Sequence, residues 1–126
     1  MKLLTLGLII LVFLAGCTSQ LTKNCNDKQC FIDAANACHQ VTLTLAEEAG
    51  TFAYVATKDC VFTKTLTVPN PAETAEMKTL LTGKSLTCTY ANGKFDARWV
   101  NTVLFGTETC TGELRDVLGE LTLFIQ

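Results

Sequence analysis

Short runs in which apolar and polar residues alternate dominate the sequence after residue 40. Alternation with a period of two is typical of a β-strand with one buried face. Four such runs lie at residues 41–45, 52–57, 60–68 and 86–90. In the third run, Lys64 interrupts a face whose other members are apolar. Turn residues separate the first three runs, so we predict strands that are joined mainly by hairpins.

A fifth strand is predicted from Phe95 to about Val103. It follows Asn92-Gly93, a dipeptide that is strongly favoured in two-residue hairpin turns. Apolar residues then alternate with charged ones as far as Trp99. A second interpretation stays open for residues 95–104, because the larger apolar residues of this stretch also share one face of a helix.

A helix is predicted over residues 28–39, with Asp27 as its N-cap residue. Apolar and small residues recur there at the spacing of one helical face, which is expected to carry Cys30, Ala34, Ala37, Cys38 and Val41. The small alanines favour close packing of this helix on the sheet.

Two further helices are predicted downstream. Asn70-Pro71-Ala72-Glu73 combines an N-cap residue, a proline at the first helical position and a glutamate that can reach back to the cap. The second helix should therefore run from about Pro71 to Thr82, with Gly83 as its stop signal. Thr111 can cap the last helix, and the tail from Leu121 to Ile125 is expected to turn extended.

Strands joined by hairpins, with helices inserted between them, are typical of an α+β domain. We expect an antiparallel sheet of about four to five strands, packed with two or three helices and braced by disulfides. Residues 25–126 should form this single domain, and the polar residues 17–24 should form a tether before it.

The first 16 residues have the three parts of a secretory signal peptide. Lys2 supplies a positive charge, Leu3 to Phe13 supplies an apolar run, and the small residues Ala15 and Gly16 close the segment. The alternative, a permanent membrane helix, is disfavoured because the apolar run is shorter than the roughly 20 residues that span a bilayer.

Leu14-Ala15-Gly16-Cys17 resembles the lipobox of prokaryotic lipoproteins. The resemblance implies that residues 1–16 are removed, that the sulfur of Cys17 receives a diacylglyceryl group, and that the new amino terminus is often acylated, for example by palmitate. The protein would then be anchored by lipid on the extracytoplasmic face of the cell membrane. The alternative is ordinary cleavage that leaves Cys17 as a free thiol.

The six other cysteines are an even number in a chain that carries an export signal. We therefore predict three disulfides among Cys25, Cys30, Cys38, Cys60, Cys88 and Cys110. Cys30 and Cys38 should not pair with each other, because eight helical residues separate their Cα atoms by about 12 Å and a disulfide needs less than about 7 Å. The other pairings stay open. No Cys-x-x-Cys pair is present, so we predict neither a metal nor a cofactor.

Charge and residue usage exclude several functions. The formal net charge is -2 and no basic patch is present, so nucleic acid is not an expected partner. His39 is the single histidine, which leaves little for a Ser-His-Asp hydrolase. The helix end explains His39 better than catalysis does, and Glu47 and Glu48 are interpreted as solvated turn charges. Asp96 and Arg98 could line a binding surface with Trp99, but a solvated charged pair and a core tryptophan are favoured.

These observations predict a membrane-anchored cell-envelope lipoprotein that acts as a small binding module for another envelope protein or a peptide. The cysteine-rich body resembles small six-cysteine exported domains of prokaryotes, which imply no particular activity. The alternatives are a small exported hydrolase, an inhibitor and a purely structural protein. An inhibitor is included because a helix before antiparallel strands resembles the cystatin-like arrangement. A binding module should show a smooth exposed patch or a free sheet edge, and an enzyme should show a pocket with at least two converging polar side chains.

Overall fold

A five-stranded sheet lies at the centre of the computed structural model, which describes residues 22–103 and 105–125, with side chains as far as residue 120. The predicted signal peptide at residues 1–16, Cys17 and residues 18–21 of the predicted tether lie outside the described residues. The strands follow each other in space as in sequence: β1 (Lys23–Asn24), β2 (Val41–Glu47), β3 (Gly50–Ala56), β4 (Val61–Pro69) and β5 (Ser85–Thr89). The short β1 pairs parallel to β2, and all the later pairs are antiparallel.

Within the described residues, four helices accompany the sheet, so the α+β class and the mainly antiparallel sheet are confirmed. They are α1 (Lys28–Asn36), α2 (Ala75–Leu81), α3 (Arg98–Asn101) and α4 (Glu113–Ile125), and a 3-10 turn at Thr107–Thr109 precedes α4. The number of helices exceeds the expected two or three, because α3 occupies the stretch that was assigned to a fifth strand.

The core lies between one face of the sheet and the helices. Tyr54 and Phe62 project from neighbouring strands, Tyr54 onto Phe31 of α1 and Phe62 onto both Phe31 and Trp99 of α3, and all four side chains are buried. The ring centroids of Phe62 and Trp99 are 5.6 Å apart, and those of Phe31 and Phe62 are 5.9 Å apart. Burying one such side chain contributes about 1.5–3 kcal/mol, so this aromatic cluster is a main source of stability. The predicted core position of Trp99 is confirmed.

Three disulfides brace the domain, as in small disulfide-rich exported proteins. Cys25 pairs with Cys30, Cys38 with Cys60 and Cys88 with Cys110, with Cα–Cα distances of 5.7, 4.9 and 4.4 Å. They tie the start of α1 to β1, the end of α1 to the turn before β4, and β5 to the segment before α4. The prediction that Cys30 and Cys38 do not pair with each other is confirmed.

The predicted strand from Phe95 to Val103 is wrong. Asn92-Gly93 forms a turn, but the chain does not return as a hairpin, because the end of α1 captures it. Gly93 N–H donates to the carbonyl of Asn36 at 2.8 Å, and Phe95 N–H donates to the side-chain oxygen of Asn36 at 3.2 Å. Within this stretch, residues 98–101 form the short helix α3, so the helical interpretation holds for these four residues.

The second helix begins later than the predicted Pro71. Asn70 does not cap a helix: its side-chain oxygen accepts from Ala72 N–H at 2.9 Å, and its amide nitrogen donates to the carbonyl of Glu48 at 2.8 Å. Asn70 thus ties a turn to the β2–β3 hairpin. Thr74 is the N-cap residue, since its hydroxyl accepts from Met77 N–H at 3.2 Å.

The first helix ends earlier than predicted, and its buried face overlaps the predicted one only in part, at Ala34. It stops at Asn36, and two residues later Cys38 adopts a left-handed backbone conformation with φ 53°. The residues that α1 buries are Phe31, Ala34 and Ala35, whereas the predicted Ala37 is exposed. The disulfide of Cys38 places the chain in a turn, and that turn replaces the last helical residues.

Both ends of the described chain differ from expectation. Lys23 and Asn24, assigned to the tether, pair with Val41 and Thr42 as β1. At the other end, α4 continues to Ile125, so the expected extended tail is wrong. Thr111 lies before this helix, where its backbone exchanges two hydrogen bonds with Thr87 of β5, at 2.7 and 2.9 Å.

Candidate binding surface and a buried lysine

The sheet face that points away from the helices is built from small, uncharged side chains. The strand register places Thr42, Val55, Thr63 and Thr87 in one row across the sheet, and Thr44, Ala53, Thr65 and Ser85 in the next row. The part of this face that the regular register of β2 to β5 defines, named the open face from here on, consists of seven threonines, one serine, two alanines and two valines: Thr42, Thr44, Ala46, Thr51, Ala53, Val55, Val61, Thr63, Thr65, Ser85, Thr87 and Thr89. Each of these residues is half-buried or exposed.

The open face offers hydroxyl and methyl groups in a regular array. Neighbouring side chains are about 4.8 Å apart across the strands and about 6.7 Å apart along them. Some hydroxyls already bond to each other within the face, as between Thr65 and Ser85 at 2.6 Å. No residue of the open face carries a charge, so the face can donate and accept hydrogen bonds without a desolvation cost for ions. This chemistry fits an uncharged protein or peptide surface.

Lys64 lies on the opposite, buried face of β4 and is 1% exposed. Its Nζ donates to the carbonyls of Trp99 at 3.1 Å and Thr102 at 2.9 Å. The same nitrogen lies 4.8 Å from the ring centroid of Phe52 and 5.7 Å from that of Tyr54. Lys64, which interrupts an otherwise apolar strand face in the sequence, is therefore enclosed by two carbonyls and two aromatic rings.

The contacts of Lys64 explain its place in the fold. The last carbonyls of a helix have no partner within the helix, and Trp99 lies inside α3 while Thr102 is its C-cap residue. The lysine side chain supplies donors to both and pins this four-residue helix to the sheet. The pKa of Lys64 is lowered to about 8, mainly by burial; the charge of Glu47 opposes this shift and the charge of Lys28 adds a smaller lowering.

Glu47 is not the solvated turn charge that the sequence predicts. Glu47 is the last residue of β2, and its side chain is 23% exposed. Its Oε1 lies 2.9 Å from Lys28 Nζ, which forms an ion pair without the alignment of a hydrogen bond. Burial raises the pKa of Tyr54, and the charge of Glu47 adds to this effect. Glu48, in contrast, is exposed in the turn. Glu47 therefore supports Lys64 electrostatically and does not act as half of a carboxylate pair.

The buried cluster around Lys64 does not form a catalytic centre. Its amine is enclosed in the core and engaged by the two carbonyls, so a substrate has no path to the nitrogen. Tyr90, at the rim of the same core, donates its hydroxyl to the carbonyl of Ala35 at 2.6 Å, and burial raises its pKa. These perturbed side chains hold the helices on the sheet.

The remaining candidates from the sequence are not brought together. His39 is exposed, and its neighbour Cys38 is bonded to Cys60, so no thiolate is present beside the imidazole. Asp96 and Arg98 form an ion pair at 2.7 Å beside α3, where the guanidinium holds the pKa of Asp96 below its usual range. This is the favoured solvated pair, although a short helix and not a strand produces it.

An open depression of about 380 Å³ lies between the end of α2 and the start of α4, lined by Gly83, Lys84, Ser85, Gly112 and Glu113. Its two charged groups, Lys84 and Glu113, already pair with each other at 2.7 Å, and Lys84 lowers the pKa of Glu113. The Ser85 hydroxyl is engaged with Thr65. Within residues 22–103 and 105–125, no group of three or more potential ligand side chains could hold a metal ion.

The class that the fold and surface define is a small disulfide-braced α+β domain with an open sheet face. Comparison with protein-family models, with curated proteins and with solved structures finds no match for this chain. In the described part of the chain, no helix is long and apolar enough to cross a membrane. A function for this protein must therefore be argued from its own residues.

Sequence reasoning predicted the two sides of the strands but missed the open face as a candidate binding surface, and it missed the role of Lys64. The open face had a visible signal, because the alternate positions of all four strand runs are threonine, serine, alanine or valine. The lysine also had a signal, since it is the only charged residue on the inner side of its run. Its partners lie 35 and 38 residues away, however, and no local pattern connects them.

Proposed function

We propose that this protein is a lipid-anchored lipoprotein of the cell envelope that acts by binding another envelope protein or a peptide. The open face is the contact surface in this proposal. The observation that carries it is a flat, uncharged, hydrogen-bonding sheet face that the helices leave uncovered. The lipobox resemblance of residues 14–17 and the three disulfides support an extracytoplasmic location.

The dimensions of the open face indicate the kind of complex. Four strands at about 4.8 Å spacing and about 3.3 Å per residue give an area of roughly 400 Å². A standard stable interface buries about 800 Å² on each partner. We therefore propose a reversible contact, in which attachment to the same membrane raises the effective concentration of the two partners.

Cys17→Ser should abolish attachment of lipid. In a prokaryotic host that exports the protein, the unchanged chain should incorporate labelled palmitate and enter the membrane fraction, because two acyl chains suffice for stable anchoring. The variant should carry no label, and it should either be released or accumulate as the uncut precursor.

Thr18→Ser is the matched control for this experiment, since it changes the neighbouring residue and leaves the sulfur in place. It should label like the unchanged protein. A mature chain without lipid, or a Cys17→Ser chain that still carries the label, would contradict the anchor proposal.

The binding proposal predicts site-specific crosslinking from the open face. A photoreactive benzoylphenylalanine at position 63 or 87 should join the full-length protein to the same envelope protein or peptide in intact cells. Thr65→Lys should reduce that yield at least tenfold, because a charge in the centre of the face must be desolvated on binding.

The control for the face lies in the turn before α2, where Ala72 is exposed and remote from the open face. The photoreactive residue at position 72 should not capture this partner, and Ala72→Lys should leave the yield from position 63 unchanged. Equal capture from positions 63 and 72, or no capture from the open face, would count against the proposal.

A further inference from the structure

The outer edge of β2 is only partly covered. The sheet begins with β1, which has two residues and pairs with Val41 and Thr42. The last bond of this pair runs from Cys25 N–H to the carbonyl of Thr42, at 2.9 Å, and the chain then bends towards α1. In the described part of the chain, residues 43–47 therefore have β3 on one side and no strand on the other.

The free part of this edge presents two donors and two acceptors. The carbonyl of Thr42 points to the outer side, and backbone groups alternate along a strand, so the N–H and C=O groups of Thr44 and Ala46 point the same way. Both residues are exposed, and among the described residues neither makes a backbone hydrogen bond on that side. β2 also has no proline and no bulge, two devices that commonly block an open edge.

We propose that a second copy of this chain pairs with the free edge of β2, antiparallel and about a twofold axis at Leu45. In this register Thr44 faces Ala46 of the second copy, and Ala46 faces its Thr44. Each of these two pairs exchanges two backbone hydrogen bonds. The free segment is five residues long and centred on Leu45. When two copies of it pair antiparallel about Leu45, each of the five residues therefore has a partner in the other copy.

Three observations favour a second copy over an unrelated strand. Leu45 is half-buried and meets the same residue of the second copy, which removes apolar surface from water. β1 ends the free segment on one side and the turn after Glu47 ends it on the other, so the two edges have equal lengths. The two Glu47 side chains lie about 13 Å apart along the seam, and each already has Lys28 as its partner, so like charges do not meet.

The dimer joins two sheets into one of ten strands and places the two open faces side by side. The seam has four hydrogen bonds and is short for an interface, so we expect a reversible dimer that forms where the protein is concentrated. This inference rests on the edge of β2 and does not depend on the partner proposed for the open face.

Site-specific crosslinking of the full-length protein in membranes tests the dimer. A benzoylphenylalanine at position 44 or 46 should yield a crosslinked species of twice the chain's mass, and mass spectrometry should map it to residues 43–47 of the second copy. The control is position 89, which lies on the opposite edge of the sheet, three strand spacings or about 14 Å away. A probe at this position should yield no crosslinked dimer.

Ala46→Pro in the chain that carries the probe at position 44 should weaken the dimer by about 30-fold. The proline removes the outward N–H of residue 46 in both copies, so two of the four seam bonds are lost while the β2–β3 ladder is kept. Because the proline could disturb folding, a second variant, Ala46→Lys, tests the same position by placing a charge at the seam. Thr65→Lys, in the centre of the open face, should leave the dimer yield unchanged.

Each outcome decides the proposal. A dimer from positions 44 and 46 that both Ala46 variants reduce and Thr65→Lys does not supports it. No dimer, a dimer from position 89, or a dimer that Thr65→Lys reduces equally would overturn it, and the last two would indicate another contact between copies. Because Thr44 and Ala46 also belong to the open face, probes at these positions are expected to capture the partner of that face as well, and such capture overturns the dimer only where no crosslinked second copy accompanies it.

Discussion

Reduction of the three disulfides is expected to unfold this protein at 25 °C. The Cys38–Cys60 and Cys88–Cys110 bonds each join residues 22 positions apart, and Cys25–Cys30 joins residues 5 positions apart. Closing loops of these lengths removes chain entropy worth about 3 kcal/mol for each long loop and about 2 kcal/mol for the short one. A domain of this size is stable by about 5–15 kcal/mol, so losing all three bonds removes most of that stability.

Circular dichroism with increasing denaturant, with and without a thiol-free reductant, measures this effect. The matched variants are the double serine replacements: Cys88→Ser with Cys110→Ser should cost more than Cys25→Ser with Cys30→Ser, in the order of the loop lengths. Thiol labelling of the denatured, unreduced protein should find none of these six cysteines free. Six free thiols, or an unchanged unfolding midpoint after reduction, would show that the disulfides do not hold the fold.

Raising the pH from about 7.5 to about 9.5 is expected to stabilise the folded protein by about 2 kcal/mol. Burial lowers the pKa of Lys64 from 10.5 to about 8, so between these values the unfolded chain binds one more proton than the folded chain. The free energy of unfolding then rises with pH, by up to about 1.4 kcal/mol per unit. Above about pH 10 the sign reverses, because burial raises the pKa of Tyr54 above its ordinary value of 10 and the unfolded chain loses that proton first.

Urea unfolding at a series of pH values tests this dependence, and Lys64→Met is the matched variant. Methionine has a similar length and no titrating group, so the rise between pH 7.5 and 9.5 should disappear while the decline above pH 10 remains. The variant should also be less stable at pH 9.5, because the carbonyls of Trp99 and Thr102 lose their donor. A flat profile for the unchanged protein, or the same rise in the variant, would refute the role given to Lys64.

The strands and their faces could be predicted well from the sequence. Val41, Leu43, Phe52 and Phe62 point to the core because side chains alternate along a strand, and this rule needs only the neighbouring residues. The disulfide number could also be predicted, because an even count of cysteines after a predicted export signal favours complete pairing. The excluded Cys30–Cys38 pair followed from helix geometry alone.

The stretch around Trp99 shows where local patterns stop. Its residues fit a strand and a helix equally well, and Asn92-Gly93 favoured the strand. The backbone of Asn36, in a helix 57 residues earlier, decided the outcome by binding Gly93. The predicted helix cap at Asn70 was wrong for the same kind of reason. The side chain of Asn70 donates to the carbonyl of Glu48 in the turn of the β2–β3 hairpin and does not cap a helix.

By itself, the sequence determined the fold class, the inner and outer faces of the strands, and the number of disulfides. The fold class and the strand faces follow from the periodicity of apolar residues, and the disulfide number follows from the count of cysteines. Only the tertiary structure decided which cysteines pair, that residues 98–101 are helical, and that Lys64 is a buried cap for that helix. Apart from the Cys25–Cys30 pair, these depend on contacts between residues 22 to 59 positions apart, whose free energies outweigh the small differences between local conformations.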